Sequence, residues 1–168
     1  AWQTQRLAKN LSGFTWSLPV VAETWDGWLS DINGFHVNPE HVFAALDHAR
    51  SGPVPEGGVG GGTGMISYEF KGGIGTASRK LSSELGGYTL GALVQANHGV
   101  RRQLVIAGVP VGREIGGGTR RFAGTDPSNL AGLSAGEAGS ILIILATDAP
   151  LLPHQLKRLA RRASPRRR

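Results

Sequence analysis

The chain has 168 residues, 40% of them hydrophobic and 18% charged, a balance that excludes disordered and collagen-like classes and suits one domain of ordinary size. Its net charge of +6 suggests a nucleic-acid partner until the charges are located: seven of the 18 Lys and Arg residues fall in the last twelve positions, and the other eleven face all 12 acidic residues. Residues 1–156 therefore carry a net charge of −1, the basicity belongs to a helix end, and no nucleic-acid partner is expected.

There is no cysteine, which removes disulfides, thiolate metal sites and cysteine nucleophiles. The apolar run "ILIILA" is far too short to span a membrane, and no membrane partner is expected. The opening "AWQTQRLAKN" is not a signal peptide, which favours the cytoplasm, although a start without methionine leaves a missing N-terminal segment and the location open.

In chain order, "NPEHVFAALDHAR" (38–50) predicts a helix, with Asn38 as N-cap, Pro39 at its first position, and Val42, Ala45, Leu46 and Ala49 at helical spacing. The glycine-rich stretch 53–64 predicts a loop. Strands are expected at 65–71, 74–81, 88–96 and 103–112, with Gly72-Gly73 marking a hairpin between the first two and Pro110 weakening the fourth. Residues 113–139 read as a long polar loop. A strand at 140–148 and a helix at 153–163 follow, the helix bearing an apolar stripe of Leu156, Leu159 and Ala160. Strands flanked by helices predict an α+β layered sheet.

Several motifs fail on their physics. "GGVGGGTG" (57–64) lacks the lysine of a phosphate loop and the glycine spacing of a dinucleotide fingerprint, leaving a flexible turn or bare backbone N–H groups that approach a substrate. "GLSAG" (132–136) matches G-x-S-x-G around Ser134, but that elbow requires a strand before it and a helix after it, and both flanks here are loop. His36 and His41 are separated by Pro39 and lack a third ligand, so they read as surface or capping residues and no metal site is assigned.

Three places keep two readings. Asn97, at a strand end, is a turn former or a side-chain N–H donor to an oxyanion. Trp25 and Trp28, beside Asp26 and Asp31, pack a half-buried loop or form the apolar wall of a pocket with a carboxylate for a cationic group. Ser140 stands between Gly139 and "ILIILA", where its hydroxyl caps the strand or does chemistry.

Taken together, "AETWDGWLSDING", "HVNPEHVFAAL", "EGGVGGGTGMISYEFKGGIGTASRKL", "YTLGALVQANHG", "IAGVPVGRE" and "GSILIILATDAPLLPHQLKRLARRA" resemble, in this order from about residue 19 to 163, the DmpA-type (P1-family) aminopeptidases, which include the β-peptidyl aminopeptidases. The resemblance implies a precursor that cuts itself between Gly139 and Ser140, making Ser140 the N-terminal nucleophile of a β chain. It also implies that Asn97 helps form the oxyanion hole, and that Gly60, Gly61, Gly62, Trp25 and Trp28 fall where the family builds its substrate pocket.

The implied fold is part of an αββα sandwich of the DmpA and ornithine acetyltransferase type, with 1–168 a single partial domain, 1–139 the α-chain part and 140–168 the truncated start of the β chain. The implied substrates are peptides, amides or esters with a free N-terminal amine, processed without metal or other cofactor by homo-oligomers of αβ units. Relatives have a much longer β chain, and their supporting serine and glutamate would lie beyond Arg168, so a fragment without activity of its own is also expected. The alternatives are an acyltransferase of the ornithine acetyltransferase type, whose typical member has threonine at the junction, and a non-catalytic stub.

Overall fold

The computed structural model describes residues 20–115 and 139–163. Its elements are helix α1 (Pro39–Asp47), strands β1 (Ile66–Ser67), β2 (Phe70–Lys71), β3 (Gly73–Lys80), β4 (Thr89–Asn97) and β5 (Ser140–Thr147), and helix α2 (Pro153–Ala163). The described residues group into two compact units, one of 20–23 with 31–53, the other of 24–30 with 54–115 and 139–163. Most of the expected 113–139 loop and all of "GLSAG" lie outside the described residues.

In the first unit, α1 starts at Pro39 as expected and ends at Asp47, three residues earlier than its periodicity suggests. The backbone N–H of Asn38 donates to Nδ1 of His41 at 3.0 Å, so this histidine does cap its helix. His36 pairs with Asp31 at 3.0 Å on the surface, and the hydrogen bond from the imidazole holds the Asp31 carboxyl below its ordinary range.

The second unit is built on an antiparallel sheet of order β3-β4-β5. Residues directly opposite in such a ladder share a face. The register therefore puts Ser140, Leu142 and Ile144 beside Asn97, Gln95 and Leu93 on one face, and Ile141, Ile143 and Leu145 beside Ala96, Val94 and Ala92 on the other. The apolar stripe of α2, with Leu156, Leu159 and Ala160, lines a cleft against Ile141, Ile143 and Leu145. A strand apolar on both faces belongs to the middle of a layered fold, which agrees with the sandwich expected from sequence.

Two expected strands differ. Residues 65–71 form a tight hairpin, β1 against β2, because Tyr68 and Glu69 both adopt positive φ, at 51° and 64°. Non-glycine residues hold such angles only when their surroundings impose them. Here the Tyr68 N–H donates to the His98 carbonyl at 2.8 Å, while the Arg101 guanidinium donates to the Glu69 carbonyl at 3.0 Å and lies 4.2 Å above the Phe70 ring. Gly72-Gly73 consequently joins β2 to a strand it does not pair with. Residues 103–112 form no strand: Ala107 and Gly108, both at positive φ, reverse the chain between Ile106 and Val109, and 3-10 turns flank them at Arg101–Gln103 and Val111–Arg113.

Glycines allow the loop after α1 to lie against the sheet. Gly57 exchanges backbone hydrogen bonds with Ile74, at 2.7 and 2.9 Å, and a Cβ on Gly62 would meet the Ile74 nitrogen at 2.8 Å and the Gly73 Cα at 3.0 Å. Gly62→Ala should destabilise the fold by about 1–3 kcal/mol, read as a lower urea midpoint with an unchanged slope.

His98, the residue after β4, stacks edge-to-face on Tyr68 at 5.3 Å, and burial lowers its pKa from the ordinary 6.5. The unfolded chain then binds the proton more readily, so the stability His98 contributes is present above about 6.5 and declines as pH falls through that value. Urea midpoints measured from about pH 8 to about pH 5 should fall towards acid, and His98→Gln should flatten that dependence.

Candidate active site

The most deeply buried groups of the second unit gather around the end of β4. Met65 and Ile66 are the buried apolar side chains among the described residues, and Thr24 and Asn97 the buried polar ones, with Asn97 only 7% exposed. Asn97 closes β4 directly opposite Ser140, the first residue of β5. The side-chain period of two then brings both onto one face at the sheet's end.

Asn97 is fully engaged. Its Oδ1 accepts the Ile66 N–H at 2.9 Å, and its Nδ2 donates to the Trp25 carbonyl at 2.5 Å and to Ser140 Oγ at 3.3 Å. The Ile66 N–H fixes which end of the amide carries oxygen, since only an acceptor can face it. Asn97 is therefore a structural amide within the sheet, and the turn-forming reading of this residue is set aside.

Ser140 Oγ also accepts the Trp25 N–H at 3.0 Å. Two N–H donors thus converge on one hydroxyl oxygen, an environment that stabilises negative charge developing on that atom. Immediately before it, Gly139 lies against the backbone of 97–98: a Cβ there would stand 2.6 Å from the His98 Cα and 2.8 Å from the Asn97 carbonyl oxygen.

The segment 24–30 lies over this face, held by the Trp25 backbone and the Thr24 hydroxyl. Gln95, two residues before Asn97 and on the same face, donates from Nε2 to Thr24 Oγ1 at 2.5 Å, and Thr24 Oγ1 lies 2.8 Å from Met65 Sδ. Trp25 and Trp28 meet edge-to-face at 5.5 Å, and Trp25 is 44% exposed, so the pair presents an apolar surface on this segment. Of the glycine turn, Gly61 lies against the Gln95 side chain, which brings the turn to the same face, while Gly60 takes a φ of 51° and Gly62 is buried.

Of the residues singled out in the sequence, Asn97, Gly139 and Ser140 thus come together with the backbone of Trp25, while Gly61 approaches through Gln95 and Trp28 through its ring contact with Trp25. Thr24, Gln95 and Ile66 were not singled out. Alternation along β4 was signal enough to find Gln95; nothing local marks Thr24 or the Ile66 N–H. Among the described residues no group of three His, Asp or Glu side chains is arranged to hold a metal ion, and no helix is long and apolar enough to cross a membrane.

The chain is 54% identical over 156 residues to β-peptidyl aminopeptidase BapA of Sphingosinicella microcystinivorans, covering 89% of this chain and 38% of that one. It is 56% identical over 154 residues to BapA of Sphingosinicella xenopeptidilytica, at 90% and 38% coverage. Among solved structures it matches a Burkholderia sp. β-aminopeptidase with a TM-score of 0.76 at 52% identity, covering 96% of this chain and 40% of that one. It also matches the L-aminopeptidase D-Ala-esterase/amidase of Ochrobactrum anthropi, described as a prototype for the serine aminopeptidases and a variant of the Ntn hydrolase fold, with a TM-score of 0.76 at 55% identity over 96% and 41% of the two chains. The fold is accordingly α+β and part of that αββα architecture, and the chain spans about two fifths of the length of these relatives. With the profile of peptidase family S58 matching residues 1–165, the chain belongs to that family.

Proposed function

We propose that this chain forms the α part, 1–139, and the beginning of the β part, 140–168, of a self-processing serine aminopeptidase. It removes N-terminal residues from peptides, amides or esters. The observation that carries the reading is the convergence of the Trp25 N–H and the Asn97 amide on Ser140 Oγ, directly after a glycine that fits only without a side chain.

In the self-processing step Ser140 Oγ attacks the Gly139 carbonyl carbon, its proton passes to the Ser140 nitrogen, and the C–N bond breaks to leave an ester. Water then hydrolyses the ester, giving a carboxylate on Gly139 and a free α-amine on Ser140. A free α-amine has a pKa of about 7.7–8.0, so near neutral pH it takes the proton from the adjacent hydroxyl and acts as general base in turnover. Asn97 donates to the oxyanion of the tetrahedral intermediates, and the Trp25–Trp28 surface with the Gly60–Gly62 turn bounds the substrate pocket. The half-buried Asp26, next in sequence to Trp25 and with its side chain against Gly64, offers the carboxylate for the substrate's ammonium.

Intact mass of the chain joined to a complete β segment should show a cut between Gly139 and Ser140 that Ser140→Ala abolishes together with turnover; a Ser140→Ala protein that still cuts or still turns over would overturn the assignment. Gly139→Ala should slow the cut by about 10²-fold, because the added methyl pushes the scissile peptide away from Asn97 and His98. Asn97→Ala should lower kcat by about 10²–10³-fold, measured by release of product from an aminoacyl amide.

A further inference from the structure

We propose that Lys71 is a positioning residue that fixes and polarises the Asn97 amide through the single peptide joining Met65 to Ile66. The proposal rests on the reading of Ser140 and Asn97 given above.

The Lys71 ammonium has three N–H bonds, and it directs them at three main-chain carbonyls: Gly72 at 2.8 Å, Gly62 at 2.9 Å and Met65 at 3.2 Å. Lys71 as a whole is exposed, so its role rests on these hydrogen bonds and not on deep burial of its charge. The Met65 carbonyl is the important one. It accepts the Gly72 N–H at 2.8 Å as well as the ammonium, while the N–H of the same peptide, on Ile66, donates to Asn97 Oδ1 at 2.9 Å. Asn97 Nδ2 then donates to Ser140 Oγ at 3.3 Å.

The atoms form one directed chain. A cation on the Met65 oxygen draws electron density towards it and makes the Ile66 N–H a stronger donor. That donor does the same to the Asn97 amide, whose Nδ2–H faces the reacting oxygen. Successive amides in a hydrogen-bonded chain strengthen one another, by roughly 10–30% per bond. The contact to the Gly62 carbonyl also ties the glycine turn to the peptide that orients Asn97, so a single side chain links the pocket wall to the oxyanion donor.

The test is a double-mutant cycle in the protein carrying a complete β segment, with activity expressed per titrated nucleophile so that unfolded protein does not count. Lys71→Met should lower kcat by about tenfold, less than loss of the donor itself, with KM changed by less than about twofold. In an Asn97→Ala background the same substitution should change kcat by less than about twofold, since the residue it acts through is gone. Lys71→Arg, which keeps the charge and the donors, should recover kcat to within about threefold of the parent. If Lys71→Met does not fold, Lys71→Gln, with two amide donors and no charge, takes its place under the same expectation.

An unchanged kcat in Lys71→Met, or an equal loss with and without Asn97, would overturn the proposal while leaving the reading of the site intact. Asn97→Ala with undiminished kcat would overturn the reading of the site and this proposal with it.

Discussion

The buried amide of Asn97 is the interaction on which the second unit depends. A buried side-chain amide must find partners, because each unmet polar atom costs about 1–3 kcal/mol, and Asn97 finds one on each of three segments. It accepts from Ile66 in the β1 hairpin, donates to the Trp25 carbonyl, and donates to Ser140 at the start of β5. One residue thus fixes where the loop 24–30, the hairpin and the junction strand stand relative to one another. The same saturation that makes Asn97 structural also leaves one Nδ2–H aimed at the Ser140 hydroxyl.

The organisation around that amide explains why the local backbone is unusual. Tyr68 and Glu69 carry positive φ angles that their side chains disfavour, and the hairpin they form presents the Ile66 N–H to Asn97 and the Tyr68 N–H to the carbonyl of His98. Gly139 rests on that same 97–98 backbone. Strain in the hairpin and the absence of a side chain at Gly139 therefore converge on the same peptide groups, which are held by their surroundings. The sheet supplies the rigidity: β4 is paired on both sides along its length, and its last residue is the one that carries the amide.

Much of this was legible before any coordinates. The strands β3, β4 and β5 and both helices follow from periodicity and caps, and Ser140 stands out because a hydroxyl at the first position of an apolar strand contradicts its surroundings. The hairpin at 66–71 was not legible, because its turn residues are Tyr and Glu and the local sequence carries no preference for a left-handed turn; Arg101 and His98 impose it from a distance. The region 103–112 misled for the opposite reason. Its apolar run looks like a strand, yet Ala107-Gly108 reverses it after three residues.

The sequence by itself determined which residue types were available for chemistry: no thiol, a serine after a glycine, an asparagine at a strand end, and two tryptophans beside acidic residues. It also determined the resemblance to a known family. Only the tertiary structure decided the meeting of those residues. The antiparallel register sets Asn97 opposite Ser140, although 43 positions separate them in the chain, and the Trp25 backbone closes over both. Register and loop docking are set by long-range pairing and by the need to satisfy buried polar groups, neither of which is written in any local stretch of sequence.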